Sequence, residues 1–357
     1  MTSLPQAGGR GLLNFAAFVV TIAGIKAAGA LVVPFLLAVF LAVVCLPLLI
    51  WLEKKGVPEL LGLLLILVVV VGAWVALALL VGTAVADFTR SVPLYQERLR
   101  AMVGEGWVWL QGYGLTVDKS ILDDIFDPGR LMRLVASTLN SVGGILKNAF
   151  MILLMFTFLI LEGAAIPLKI RLIRNGKYGA LDSYTAITKG VNRYLAIKST
   201  TSLATGVLVY ILLQFLGVDF PVLWALLAFL LNFIPNIGSL IASIPPILLA
   251  LVQLGVGYAA ATGIGFLLVN VIIGSIIEPR VMGRGVGLSA LVVFLSLVFW
   301  GWVLGPIGML LSVPLTMAIK IALSEHESTS WLGILLGSNK EVLVRLEEVE
   351  KRESQQE

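Results

Sequence analysis

One phrase recurs within apolar sequence: Ile234-Pro235-Asn236-Ile237-Gly238-Ser239-Leu240-Ile241-Ala242-Ser243-Ile244-Pro245, and later Leu304-Gly305-Pro306-Ile307-Gly308-Met309-Leu310-Leu311-Ser312-Val313-Pro314. With one residue gapped, both read Ile-Gly-x-Leu-aliphatic-Ser-aliphatic-Pro. Proline and glycine break helices, and at membrane depth the freed N–H and C=O groups must meet protein or water. Paired interruptions therefore point to a polar cavity, where helix ends and nearby Asn and Ser side chains can bind a small polar solute. On this reading Asn232, Pro235, Asn236, Gly238, Ser239 and Ser243 line one stretch of the path, and Gly305, Pro306, Gly308 and Ser312 the other. The competing account is that glycine and proline merely let helices pack closely. The duplication of the phrase favours the functional account.

Charge is sparse around this phrase. From Ser199 to Lys320 the formal charges are Asp219, Glu278, Arg280, Arg284 and Lys320, each near an expected membrane boundary. A proton relay needs titratable groups at depth, so recognition is expected to rest on uncharged groups. Glu278 and Arg280 flank Pro279 and read either as a gate or ion-coupling pair, or as a solvated pair worth about 0 to 1 kcal/mol. Glu162 reads as a coupling carboxylate or as a cytoplasmic helix-end residue. Gly283-Arg284-Gly285-Val286-Gly287 is a weak match to a phosphate loop, since no nucleotide-binding strand and helix surround it. One cysteine, Cys45, and one histidine, His326, exclude an internal disulfide, a Cys/His zinc site and a Cys-His dyad within one chain. Neither enzymatic activity nor a metal or cofactor is expected.

The elements that position these residues belong in a bilayer. The 357-residue chain is 59% hydrophobic and 13% charged, and its mean hydropathy is +1.01. Its apolar runs reach helical spanning length and lack the alternation of outer-membrane strands, which predicts an all-α, polytopic helical membrane protein. The net charge of +4 comes from basic residues lying between apolar segments, a pattern of topology and not of nucleic-acid binding. Residues 1–86 supply three expected spans, Leu12 to Ile25, Leu31 to Leu52 and Leu60 to Ala86, the first read as retained and not as a signal peptide. Residues 87–140 carry charges of both signs, Trp107 and Trp109, and read as a small extracytoplasmic or interfacial helical insertion. Residues 141–198 hold the fourth span and a basic connection, 199–323 the transport core, and 324–357 a tail with a helix in Lys340 to Arg352.

Between Ile166 and Lys198 seven basic residues face one acid, Asp182, which makes this connection cytoplasmic by the positive-inside rule. Both termini are then cytoplasmic, and residues 87–140 lie outside. Pro221 to Leu254 divides at Pro235 to Gly238 into arms of about 15 residues, near 22 Å each, short for a core of about 30 Å. They read as a re-entrant hairpin from outside, with two short full spans as the alternative. Leu288 to Leu323 breaks around Gly305 to Gly308 and enters from the cytoplasm. One span plus one broken hairpin thus occurs twice in opposite orientation, an inverted repeat around a shared solute path.

Pro34-Phe-Leu-Leu-Ala38 with Pro47, Phe158-Leu-Ile-Leu-Glu-Gly163, Asn232-Phe-Ile-Pro-Asn-Ile-Gly238, Glu278-Pro-Arg280 and Gly305-Pro-Ile-Gly308 together resemble the autoinducer-2 exporter family, over about Leu12 to Leu323. The resemblance implies about eight membrane segments, the two broken hairpins included, a plasma-membrane location, small-solute transport and homo-oligomeric assembly. Glu162-Gly163 matches an acidic-Gly pair of that family at the end of the fourth span. The leading expectation is a secondary transporter or exporter of a small polar organic solute, with a quorum-signal-like molecule as one instance. A sodium or lithium/proton antiporter using Glu162, Asp219 and Glu278 is the alternative, and a non-transporting scaffold the third. The expected partners are a small-molecule or ion substrate and the lipid bilayer, without nucleic acid.

Overall fold

The computed structural model describes residues 6–112, 148–173, 179–235, 237–282, 287–324 and 329–338, together with 342, 343 and 346. Among these residues the regular elements are helical, and the one β-type contact is an isolated bridge between Leu288 and Gly337. In chain order they are α1 (Gln6–Ala27), α2 (Gly29–Lys54), α3 (Glu59–Gly112), α4 (Ala149–Ile173), α5 (Gly179–Leu216), α6 (Pro221–Leu231), α7 (Gly238–Leu254) and α8 (Val256–Asn270). A π-helical segment (Val271–Ile277), α9 (Glu278–Met282), α10 (Ala290–Ser324) and α11 (Ser330–Leu335) complete the order. Five stretches are long and apolar enough to cross a membrane: Gly29–Lys54, Glu59–Met102, Thr185–Leu216, Val256–Met282 and Ala290–Ser324. Phe15–Ala27, Ala149–Gly163, Pro221–Leu231 and Gly238–Leu254 are shorter apolar helices. The chain is a polytopic helical membrane protein, as its composition predicts.

Several element ends follow from local chemistry. The α1–α2 hairpin turns at Ala28, beside the expected Lys26. Pro58 stands just before α3, where a missing N–H costs nothing. No helix end marks position 87: α3 runs on through Pro93 to Gly112. Most of the expected insertion, and most of the 340–352 tail helix, lies outside the described residues.

The chain divides into two compact units. One comprises Met1–Leu63, Phe150–Asn192 and Val286–Glu357; the other comprises Leu64–Ala149 and Arg193–Gly285. In the first, Trp300, Val303 and Leu304 of α10 pack on Ile22 and Ile25 of α1 and on Val32, Val33 and Leu36 of α2. The Lys26 ammonium lies 3.9 Å above the Trp302 ring, so the turn of the α1–α2 hairpin is fastened to the same helix. In the second, Phe88, Tyr95 and Leu99 of α3 join Val209 and Leu213 of α5, Trp224 of α6 and Phe266 of α8 in one core. Trp224 is fully buried, its ring is 5.4 Å edge-on from Phe88, and its Nε1 donates to the Asp219 carbonyl at 2.9 Å. This core fixes α6, the first arm of a broken hairpin, against the long helices.

Candidate functional site

The duplicated phrase builds a helix break in each unit. In the second unit α6 has 11 residues, about 16 Å, and α7 has 17, about 25 Å, both shorter than a hydrocarbon core of about 30 Å. The turn between them, 232–237, begins earlier than the proline-centred break read from sequence, so the arms are unequal. In the first unit α10 breaks at Gly305, whose φ of 70° and ψ of −154° are accessible essentially to glycine alone. The Trp300 indole Nε1 donates to Thr316 Oγ1 at 3.1 Å across sixteen residues. A continuous helix would hold such residues about 24 Å apart. The two arms of α10 are therefore folded back on one another.

The motif glycines make these hairpins possible by close approach. A Cβ on Gly238 would overlap the Leu231 carbonyl, and one on Gly308 would overlap the Trp300 carbonyl. In both copies the glycine leaves room for a backbone carbonyl of the preceding arm. The motif serines repeat each other as well: Ser243 Oγ donates to the Leu240 carbonyl and Ser312 Oγ to the Met309 carbonyl, each at 2.8 Å. Both serines are buried, and their hydroxyl protons are spent on their own helix. Asn232 is different. It is buried, and its Nδ2 donates to Ser202 Oγ on α5 at 3.0 Å. Pro235 and Ser239 are half-buried, Gly305 is half-buried and Pro306 exposed, while Asn236 lies outside the described residues.

The charged candidates separate cleanly. Glu162 is bonded to Lys169, both side chains being more than half exposed, so this is a solvated pair; it does not stand at a helix end as the sequence suggests, because α4 continues past it to Ile173. Glu278 does not pair with Arg280, which is exposed. Its carboxylate instead accepts from Lys198 Nζ at 2.7 and 2.9 Å, with side chains only 14% and 5% exposed respectively. The pairing expected from the Glu-Pro-Arg spacing is thus replaced by one between α5 and α9. The reason is geometric: Glu278 opens α9 directly after the π-helical segment, and an α5 lysine meets it there. Lys198 counts in the sequence among the basic residues of a cytoplasmic connection, yet it is buried.

Lys198 heads a polar line that sequence reasoning missed. Lys198, Thr201, Ser202 and Thr205 are all buried and fall at i, i+3, i+4 and i+7, one face of α5. Thr201 Oγ1 donates to the Lys198 carbonyl at 3.1 Å and lies 3.5 Å from Glu278 Oε2, and Thr205 Oγ1 donates to the Thr201 carbonyl at 3.0 Å. The line runs over about 10 Å of helix, and at Ser202, about 6 Å from Lys198 along the axis, it meets Asn232. Its signal in the sequence is four polar residues at helical spacing entering an apolar span. Asp219 and Gln253, also polar, close the α5–α6 connection instead: Tyr95 OH donates to Asp219 Oδ2 at 2.6 Å, and Gln253 bonds the Asp219 N–H and the Gly217 carbonyl. A separate cavity of about 230 Å³ in the first unit is lined by Val39, Val43, Leu46, Leu159 and other mostly apolar residues.

A family model described as AI-2E family transporter matches residues 15–327. A protein of Haemophilus influenzae is 41% identical over 334 residues, covering 92% of this chain and 96% of its own. The AI-2 transport protein TqsA of Escherichia coli is 39% identical over 324 residues, covering 90% of this chain and 94% of its own. The YhhT protein of Escherichia coli is 36% identical over 326 residues, with 91% and 93% covered.

Proposed function

We propose, because this chain belongs to the AI-2E transporter family, that it is a secondary transporter which moves a small polar organic solute across the bilayer. AI-2 is the cargo named for the relative TqsA, and a quorum-signal-like molecule falls in the same broad class. The observation that carries the reading is the local likeness of the two broken hairpins, each with its glycine on a carbonyl and its serine bonded three residues back. The short arms α6 and α7 support re-entry of the first hairpin, and the basic connection at 166–198 supports an inverted pair with both termini cytoplasmic in the plasma membrane. Solute contact falls to Asn232, Ser239, Ser243 and Ser312 with the freed backbone of the breaks, while Gly238, Pro235, Gly305, Pro306 and Gly308 shape those breaks. Assembly as a homo-oligomer is part of the same proposal, carried over from the family resemblance.

The test is flux in proteoliposomes of purified protein, without ATP, read by metabolite-resolved uptake and efflux. Replacing Gly238 or Gly308 distorts the hairpin itself, so those variants report packing. Ser243→Ala and Ser312→Ala are the informative ones, because each removes a hydroxyl and leaves the helix bond ladder intact. Folded variants with a raised KM support the path, and unchanged kinetics in both remove these serines from it.

A further inference from the structure

The Lys198–Glu278 pair is asymmetric. Lys198 sits well inside α5, which has 38 residues, and is held by helix on both sides. Glu278 is the first residue of the five-residue α9, followed by Pro279 and preceded by seven residues of π-helix. A π-helical turn carries about one residue more than an α-helical turn, and such segments recur at functional sites. Relaxing one of them to α geometry rotates the residues beyond it by about 100° around the axis. Glu278 is also the more exposed partner, 14% against 5%. If the pair separates, the carboxylate leaves and the buried ammonium stays.

A buried charge left without its partner is costly, so the ammonium must acquire another anion. The surroundings say which kind. Beside Lys198 the same face of α5 presents Thr201, Ser202 and Thr205, whose hydroxyl oxygens keep acceptor capacity, and Asn232 reaches that face through Ser202. We propose that Lys198 is an anion-recognition residue of the solute site, that Glu278 is its built-in stand-in, and that the solute is a small hydroxylated organic anion. The exchange is carboxylate for carboxylate on one ammonium, so no bond is made or broken. This rests on the transporter reading and adds to it the charge of the cargo. It also reverses the expectation that recognition uses uncharged groups alone.

The probes are gluconate and sorbitol, which share a six-carbon hydroxylated skeleton and differ in one carboxylate, with sodium chloride at equal ionic strength as control. Melting of the purified full-length protein is followed by tryptophan fluorescence, so the readout is binding and not flux. Gluconate raises the wild-type melting temperature, and sorbitol and chloride do not. Glu278→Gln, which removes the stand-in, binds gluconate at least tenfold more tightly, and the neutral double variant Lys198→Met with Glu278→Gln does not respond. Equal shifts with gluconate and sorbitol, no tighter binding in Glu278→Gln, or a response in the double variant would overturn the proposal. Should Glu278→Gln fail to fold, the wild type against the double variant decides by the same criteria. Gluconate binding that requires Lys198, without flux of any solute in proteoliposomes, would retain the site and sink the transporter reading instead.

Discussion

At the scale of single residues, burial decides what an ion pair is worth. Lys198 and Glu278 are withdrawn from water, and removing either charge alone leaves the other uncompensated at a cost of about 3–5 kcal/mol. Lys198→Met and Glu278→Gln should therefore each lower the melting temperature sharply, while the double variant recovers most of the loss. Additive losses in the double variant would show that the two charges do not depend on each other. The exposed Glu162–Lys169 pair is the contrast. Glu162→Gln should change stability by no more than about 1 kcal/mol, measurable in the same melts. Glu278 is visible in the sequence as a candidate, but its partner is not. The two residues are eighty positions apart, and no local spacing announces a contact between α5 and α9.

At the scale of elements, two breaks with the same sequence use glycine in two ways. Gly305 supplies a backbone conformation that other residues reach only with strain, and Gly305→Ala should cost about 1–3 kcal/mol in the melting free energy. Wild-type stability in that variant would place the turn elsewhere. Gly308 supplies space, so Gly308→Ala should do more harm than Gly305→Ala, because its Cβ meets a backbone carbonyl that cannot swing away. The existence of both breaks is legible from Pro and Gly in apolar runs. Their detailed form is not: the α6–α7 turn starts at Asn232, and the first arm is four residues shorter than an even division of about 15 allows. The π-helical segment before Glu278 has no sequence signal, since Val271–Ile277 reads as ordinary apolar helix.

At the scale of the molecule, the packing of α6 and the topology are the quantities to test. Trp224 is fully buried at the centre of the second unit, and Trp224→Ala should cost about 3–5 kcal/mol and reduce flux by displacing α6. A folded variant with unchanged flux would separate that core from transport. If the two hairpins form the proposed inverted repeat, their ends face opposite sides of the membrane. In a Cys45→Ala background, Gly257→Cys should react with an impermeant maleimide from outside, there being open space around its Cβ. Ala322→Cys, exposed near the end of α10, should react only from the cytoplasm. Labelling of both from one side would rule out opposite orientations.

Composition and periodicity by themselves determined that this chain is a helical membrane protein and that two of its apolar stretches are broken. Those properties are local: about 20 apolar residues ask for a bilayer, and proline or glycine interrupts the hydrogen-bond ladder wherever it stands. Only the tertiary structure decided that the motif serines bond inward to their own helices, that the motif glycines shelter carbonyls, and that Lys198 pairs with Glu278 beside a line of hydroxyls. Each of those depends on which helix faces which, and that is set by packing between segments far apart in the chain.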